Sequence, residues 1–153
     1  MIAEPLEDYL KAQESTFLTP AKNLAVVIDS HNVDHVILLL SQISYTRIPV
    51  VTDHGHYVGT ISLTDILSYQ MKHNLSAEEL ESMDIVHMVK RDGLTLGPGY
   101  SLTEVFHKLV DESFLPVLDD QGVLEGIIAR KSILKATNAL LHEFGQYYEM
   151  SPK

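Results

Sequence analysis

The feature that most constrains this chain is a repeat without gaps. Residues 48–61 align with residues 115–128 so that Pro49 and Pro116, Gly55 and Gly122, and Gly59 and Gly126 each stand 67 residues apart. Ile66-Leu67 and Ile133-Leu134 keep the same spacing. A proline, two glycines and the intervening apolar alternation in one register point to duplication of a single supersecondary unit. The chain is expected to fold as two like halves related by a pseudo-two-fold axis.

Local signals agree in both copies. Residues 48–51 and 57–62 read as strands joined by the Asp53-His54-Gly55 turn, and residues 115–118 and 123–129 repeat that hairpin around a turn at 119–122. A helix precedes each hairpin. In the first copy Asn32 or Ser30 caps it, and Val33, Val36, Ile37, Leu40 and Ile43 recur at helical spacing. In the second, Ser101 is the N-cap, Glu104 takes the capping-box position, and Leu102, Val105, Phe106, Leu109 and Val110 form the buried face. Second helices follow at 63–71 and 130–141, and a further strand at 24–28 has its counterpart near 94–96. The unit is therefore βαββα and the fold class α+β. The boundaries read as an N-terminal helix within 1–16, a first unit at 17–75, a connecting helix at 76–84 opened by Ser76 and Glu79, a second unit at 85–145, and a frayed tail at 146–153.

Composition narrows the function. Apolar runs such as residues 36–40 fall far short of the roughly 20 residues that span a bilayer, so no membrane segment is expected. Glu4, Glu7 and Asp8 in the opening residues argue against a signal peptide, and the absence of cysteine excludes disulfides and thiolate metal sites. A reducing cytoplasm is the expected location. A net charge of −10 argues against broad contact with DNA, RNA or anionic lipid, so an anionic ligand has to be met by local cations. Arg130-Lys131 is the pair best placed for that, whereas Lys90-Arg91 reads as solvated strand-entry charge. The pairs His54/His56 and His31/His35 lack two further ligands at metal-site spacing, so no metal is expected. No P-loop, nucleophile-elbow or zincin motif occurs, and catalysis is not expected.

The apolar-Pro-Val-apolar strand, the Asp-x-Gly turn and the Gly59, Ile61, Ser62, Asp65 pattern resemble the CBS domain; two in tandem resemble a Bateman module. The resemblance covers roughly residues 17 to 70 and 85 to 137. More narrowly, Leu24-Ala25, Tyr45-Thr46 before Ile48-Pro49, and Arg130-Lys131 opening the last helix resemble the small bacterial CBS proteins that bind cyclic di-AMP. That resemblance implies adenine-nucleotide binding in clefts between the units, a disc-like homodimer, and regulation of a partner protein in trans, an alarmone (ppGpp) synthetase being one candidate.

It also implies two unequal clefts. The first gathers Asn23, Leu24, Ala25, Tyr45, Thr46, Arg47 and Pro49 with Ala129, Arg130, Lys131 and Ser132. The second sets the Leu94 region, Ser113 and Phe114 against Ser62, Thr64 and Asp65. In this family the Ser/Thr-x-x-Asp carboxylate accepts hydrogen bonds from a ribose diol, a pattern kept by Ser62 and Asp65 and replaced by Ala129 and Ser132 in the first cleft. A 3′,5′-linked cyclic dinucleotide has no free vicinal diol, and Arg130 beside Lys131 at a helix start suits a phosphodiester. The first cleft is thus expected to take cyclic di-AMP, with Tyr45 stacking on a base and Thr46 bonding a base edge or phosphate. The alternative is an AMP or ATP energy sensor using Ser62 and Asp65.

Overall fold

The computed structural model describes residues 1–153. At its centre lie two antiparallel hairpins, β3 (Arg47–Val51) with β4 (Tyr57–Ser62), and β5 (Phe114–Leu118) with β6 (Leu124–Ala129). Their registers coincide at the repeat spacing: Arg47 faces Ser62 as Phe114 faces Ala129, and a bulge falls at Val50/Val51 as at Val117/Leu118. Gly55 and Gly122 close the two turns with φ of +83° and +80°, a left-handed conformation that glycine adopts without steric cost.

The remaining elements wrap these hairpins. The short β2 (Val27–Ile28) runs parallel to β3, and α3 (Val33–Gln42), α4 (Leu63–Lys72) and α5 (Ala77–Glu81) complete the first half. The second half adds α6 (Leu102–Leu109) and α7 (Arg130–Tyr147). Two cores form, one around Val27, Val36, Ile48, Ile61 and Ile66, the other around Leu96, Val105, Leu115, Ile128 and Ile133. The N-terminal helices α1 (Glu4–Lys11) and α2 (Glu14–Phe17) insert Leu10 and Phe17 into the second core, although they precede the first half in sequence.

That crossing is reciprocal. β1 (Leu18–Pro20) lies antiparallel to β6, with Thr19 opposite Ile127 and Pro20 opposite Gly126. In return Lys90, which leads into the second half, exchanges backbone bonds with Thr60 of β4, at 3.0 Å from Thr60 N–H and 2.8 Å from its own N–H. The turns grip each other by the same symmetry: Tyr57 N–H donates to Gly122 O at 2.9 Å, and Leu124 N–H donates to Gly55 O at 3.1 Å. The pseudo-two-fold passes between His56 and Val123, which pair directly.

Gly59 and Gly126 are explained by this exchange. A Cβ on Gly126 would stand 2.2 Å from the Thr19 carbonyl oxygen, and one on Gly59 would stand 2.2 Å from that of Lys90. The crossing backbone occupies the space a side chain would need.

Several elements differ from expectation. The strand over 24–28 shortens to Val27–Ile28, because Leu24 N–H bonds back to Ala21 in a 3₁₀ turn and leaves the following backbone out of the ladder. Likewise only an isolated parallel bridge from Leu96 to Val117 stands for its counterpart. The leading helix stops at Lys11 before the separate turn of α2, and α7 continues to Tyr147, past the limit at 141. Asn32, not Ser30, caps α3 by accepting His35 N–H at 2.9 Å. The Ser101 box is half-formed: Ser101 accepts Glu104 N–H, but the Glu104 carboxylate turns to Lys108 at 2.7 Å.

Gly126→Ala is expected to destabilise the protein by about 1–3 kcal/mol through overpacking against immovable backbone. Gly97→Ala, whose Cβ would meet nothing within 4 Å, is expected to stay within about 0.5 kcal/mol of the parent. Urea unfolding of both variants measures the contrast.

Candidate ligand-binding cleft

The turn between α3 and β3 stands where the two halves meet. No backbone hydrogen bond holds residues 44–46, and three hollows converge on Ser44 and Tyr45. The first is a slot of about 200 Å³ whose walls are Asn23, Leu24 and Ala25 on one side and Tyr45, Arg47 and Pro49 on the other. Phe114 and Ile127, from the second half, form its floor. The Ala25 N–H and C=O make no bond within the protein, which leaves a donor and an acceptor beside an apolar slot. Tyr45, 37% exposed, meets the Phe114 ring edge-on at a centroid distance of 6.0 Å. A flat heteroaromatic ring fits such a slot, stacking on one face and hydrogen-bonding at one edge.

The second hollow, about 640 Å³, continues from Tyr45 along α7 past Ser113, Ala129, Arg130 and Lys131. Leu134, Lys135 and Asn138 extend it, Lys135 and Asn138 lying one and two turns beyond Lys131. Sequence reading missed these two, although the helical period from Lys131 pointed to them. α3, α4 and α6 have their first N–H groups capped by Asn32, Ser62 and Ser101, but α7 starts at Ala129 with no side-chain cap and no acidic residue in its first turn. The N–H groups that follow Arg130 and the positive dipole end of α7 therefore stand at the groove beside three cationic side chains.

Arg130 is not the free fork expected of it. Its Nε–H donates to Leu109 O at 2.8 Å, and its Nη2 to Val110 O at 3.3 Å and Glu112 O at 2.8 Å. Its own N–H donates to Ser113 O at 2.9 Å. Only Nη1 lacks a partner in the protein, because the end of α6 leaves carbonyls that the guanidinium satisfies.

The third hollow, about 600 Å³, runs along the start of α4 and brings Ser62, Thr64 and Asp65 beside Tyr45, Thr46 and Arg47. The expected second cleft set those three residues against Leu94, Ser113 and Phe114; in the structure they line a hollow with Thr46, and Leu94, Ser113 and Phe114 line another. The space lined by Leu94, Ser113 and Phe114 is only about 20 Å³, with Arg47, Tyr57 and Thr60 crowding it. Burial pushes the Tyr57 hydroxyl up to about 12, against the opposing effect of the Arg47 charge.

Asp65 is already engaged. Its Oδ2 accepts Ser62 N–H at 3.0 Å and Arg47 Nη2 at 2.6 Å, while Ser62 Oγ accepts Asp65 N–H at 3.2 Å. Arg47 also donates through Nε to Thr60 Oγ1 at 2.8 Å. Phe114 and Ile127 floor the open slot; Arg47 and Thr60, the residues 67 positions earlier, fill the closed space with a bonded network. Equivalent positions thus carry apolar side chains in the second half and a bonded polar pair in the first.

The sequence profile of the CBS domain matches residues 17–72 and 83–139. A CBS domain protein of known structure from Streptococcus pneumoniae TIGR4 is 62% identical, with 99% of each chain covered and a TM-score of 0.87. The structure of CbpB in complex with c-di-AMP is 42% identical, covering 95% of this chain and 100% of that one with a TM-score of 0.84. A curated relative from Bacillus subtilis (strain 168), Cyclic di-AMP receptor B, is 27% identical over 90% of this chain and 95% of its own length.

Ser62→Ala removes the cap of α4 and one acceptor of the Asp65 network. It is expected to lower stability by about 1 kcal/mol, read as a shift in the denaturant midpoint at constant slope.

Proposed function

The chain belongs to the CBS domain family, and from that premise we propose that it is a non-enzymatic receptor for cyclic di-AMP that regulates a partner protein in trans. The observation that carries the reading is the pairing of an apolar, edge-polar slot with a cationic groove that contains no carboxylate. One adenine occupies the slot between Ala25 and Tyr45, over Pro49, Phe114 and Ile127. The adjoining phosphodiester lies at the start of α7, with Arg130 Nη1, Lys131 and the N–H groups that follow Arg130 as donors. A ligand whose 3′ oxygens are esterified needs no diol acceptor, and Ala129 and Ser132 supply none. Relatives named for cyclic di-AMP or solved with it support the same ligand.

The AMP or ATP reading through Ser62 and Asp65 has less support, since the Asp65 oxygen that faces Arg47 is held by two donors. Only one slot adjoins the cationic groove, which supports one cyclic di-AMP per chain. A homodimer is favoured by apolar side chains that the isolated chain leaves in solvent: Leu63, Leu67 and Met71 at successive turns of α4, and Leu134, at the repeat position of Leu67, with Leu141 on α7.

Isothermal titration calorimetry with cyclic di-AMP, AMP and ATP tests the reading. Cyclic di-AMP is expected to bind at one per chain, and binding of AMP or ATP alone overturns the assignment. Tyr45→Ala is expected to weaken cyclic di-AMP binding roughly 5- to 150-fold, as for the loss of about 1–3 kcal/mol of base stacking. Ligand at 100 times its Kd is expected to add about 2.7 kcal/mol to stability, visible as a thermal shift of roughly 5–10 °C.

A further inference from the structure

The residue that faces the groove also organises the end of another helix. Arg130 ties together four carbonyls of one short stretch, Leu109, Val110, Glu112 and Ser113, three through its guanidinium and one through its backbone N–H. Without those bonds residues 110–112 are held weakly. The Val110 and Asp111 N–H groups reach their acceptors only at 3.4 Å, and that of Glu112 at 3.2 Å, near the long end of useful hydrogen-bond geometry. The stretch is on the surface: Val110 is 75% exposed, between Leu109 in the core and two acidic residues.

The fold does not itself require this arrangement. Sixty-seven residues earlier Leu63 stands in place of Arg130, and residues 44–46, the equivalent turn, carry no backbone bonds. The first half builds the same turn and leaves it free. The arginine therefore belongs to whatever distinguishes the second half, which is the groove along α7.

We propose that Arg130 couples the ligand groove to the turn at residues 110–113, so that ligand occupancy tightens this exposed turn. The proposal rests on the reading of the groove as a cyclic dinucleotide site. The guanidinium has its Nε and Nη2 committed to the turn and its Nη1 without a partner, on a residue that lines the groove. A phosphate on Nη1 leaves the carbonyl bonds in place and fixes the same planar group from its other end. Opposed anchoring of a rigid, planar cation restricts both neighbours. Lysine cannot do this, because a single ammonium cannot span three carbonyls and a phosphate at fixed geometry.

Amide hydrogen exchange on the full chain, with and without saturating cyclic di-AMP, tests the coupling. The parent is expected to show several-fold slower exchange at residues 110–112 when ligand is bound. Arg130→Lys, which keeps the charge, is expected to bind more weakly and, at saturation, to show no slowing there. Unchanged or faster exchange in the bound parent overturns the coupling while leaving the ligand assignment standing; so does equal slowing in Arg130→Lys. Absence of cyclic di-AMP binding to the parent in calorimetry overturns the ligand assignment, and the coupling falls with it.

Discussion

The close passage of one half's leading backbone over the other half's hairpin is the constraint on which the rest of the structure depends. Thr19 crosses Gly126 and Lys90 crosses Gly59, in each case where a Cβ would meet the carbonyl oxygen at 2.2 Å. Because each crossing adds the bonds that complete the other half's sheet, the halves are locked in one orientation. The slot floor, drawn from Phe114 and Ile127, then stands opposite Ala25 and Tyr45 at a fixed separation. Small residues at two positions therefore set the distance across which a ligand has to reach.

Once the scaffold is symmetric, function has to come from departures from symmetry. Arg47, Thr60, Leu63 and Asp65 in the first half become Phe114, Ile127, Arg130 and Ser132 in the second. The first set satisfies itself: a cation, a hydroxyl and a carboxylate bond together and fill their own space. The second set cannot do so, since two apolar side chains and an uncapped helix start leave an apolar floor beside unused donors. Polar groups with no internal partner are stable only where water or a ligand reaches them. The same duplication thus yields one centre whose polar side chains satisfy one another and one apolar slot that stays open.

Much of the fold was legible from the amino-acid pattern because its controls are local. Hairpin turns need glycine at positive φ, helix starts need Asn32, Ser62, Ser76 or Ser101, and the constant repeat spacing transfers each inference from one half to the other. The short strands failed for the opposite reason. Whether Leu24 pairs with β3 depends on a 3₁₀ turn before it, and no residue type near it announces that bond. Within the site, residue identities around Ala25, Tyr45 and Lys131 were readable, but their partners were not. Arg130 turns to carbonyls contributed by the end of α6, and Asp65 turns to Arg47; both depend on which long side chain arrives first at an unsatisfied group in three dimensions. Thr46, expected at the first cleft, lines the hollow along α4, and a turn free of backbone bonds gives no periodicity from which to infer its facing side.

The exchange of leading strands also governs the order in which this chain is able to fold. Leu18 pairs with Ile128, so β1 has no edge to join until β6, more than a hundred residues later, has been made. The first hairpin in turn waits for Lys90 to cover Thr60. The first half's three strands pair among themselves, but the second half's sheet takes its third strand from residues 18–20, a long-range contact of the kind that slows folding.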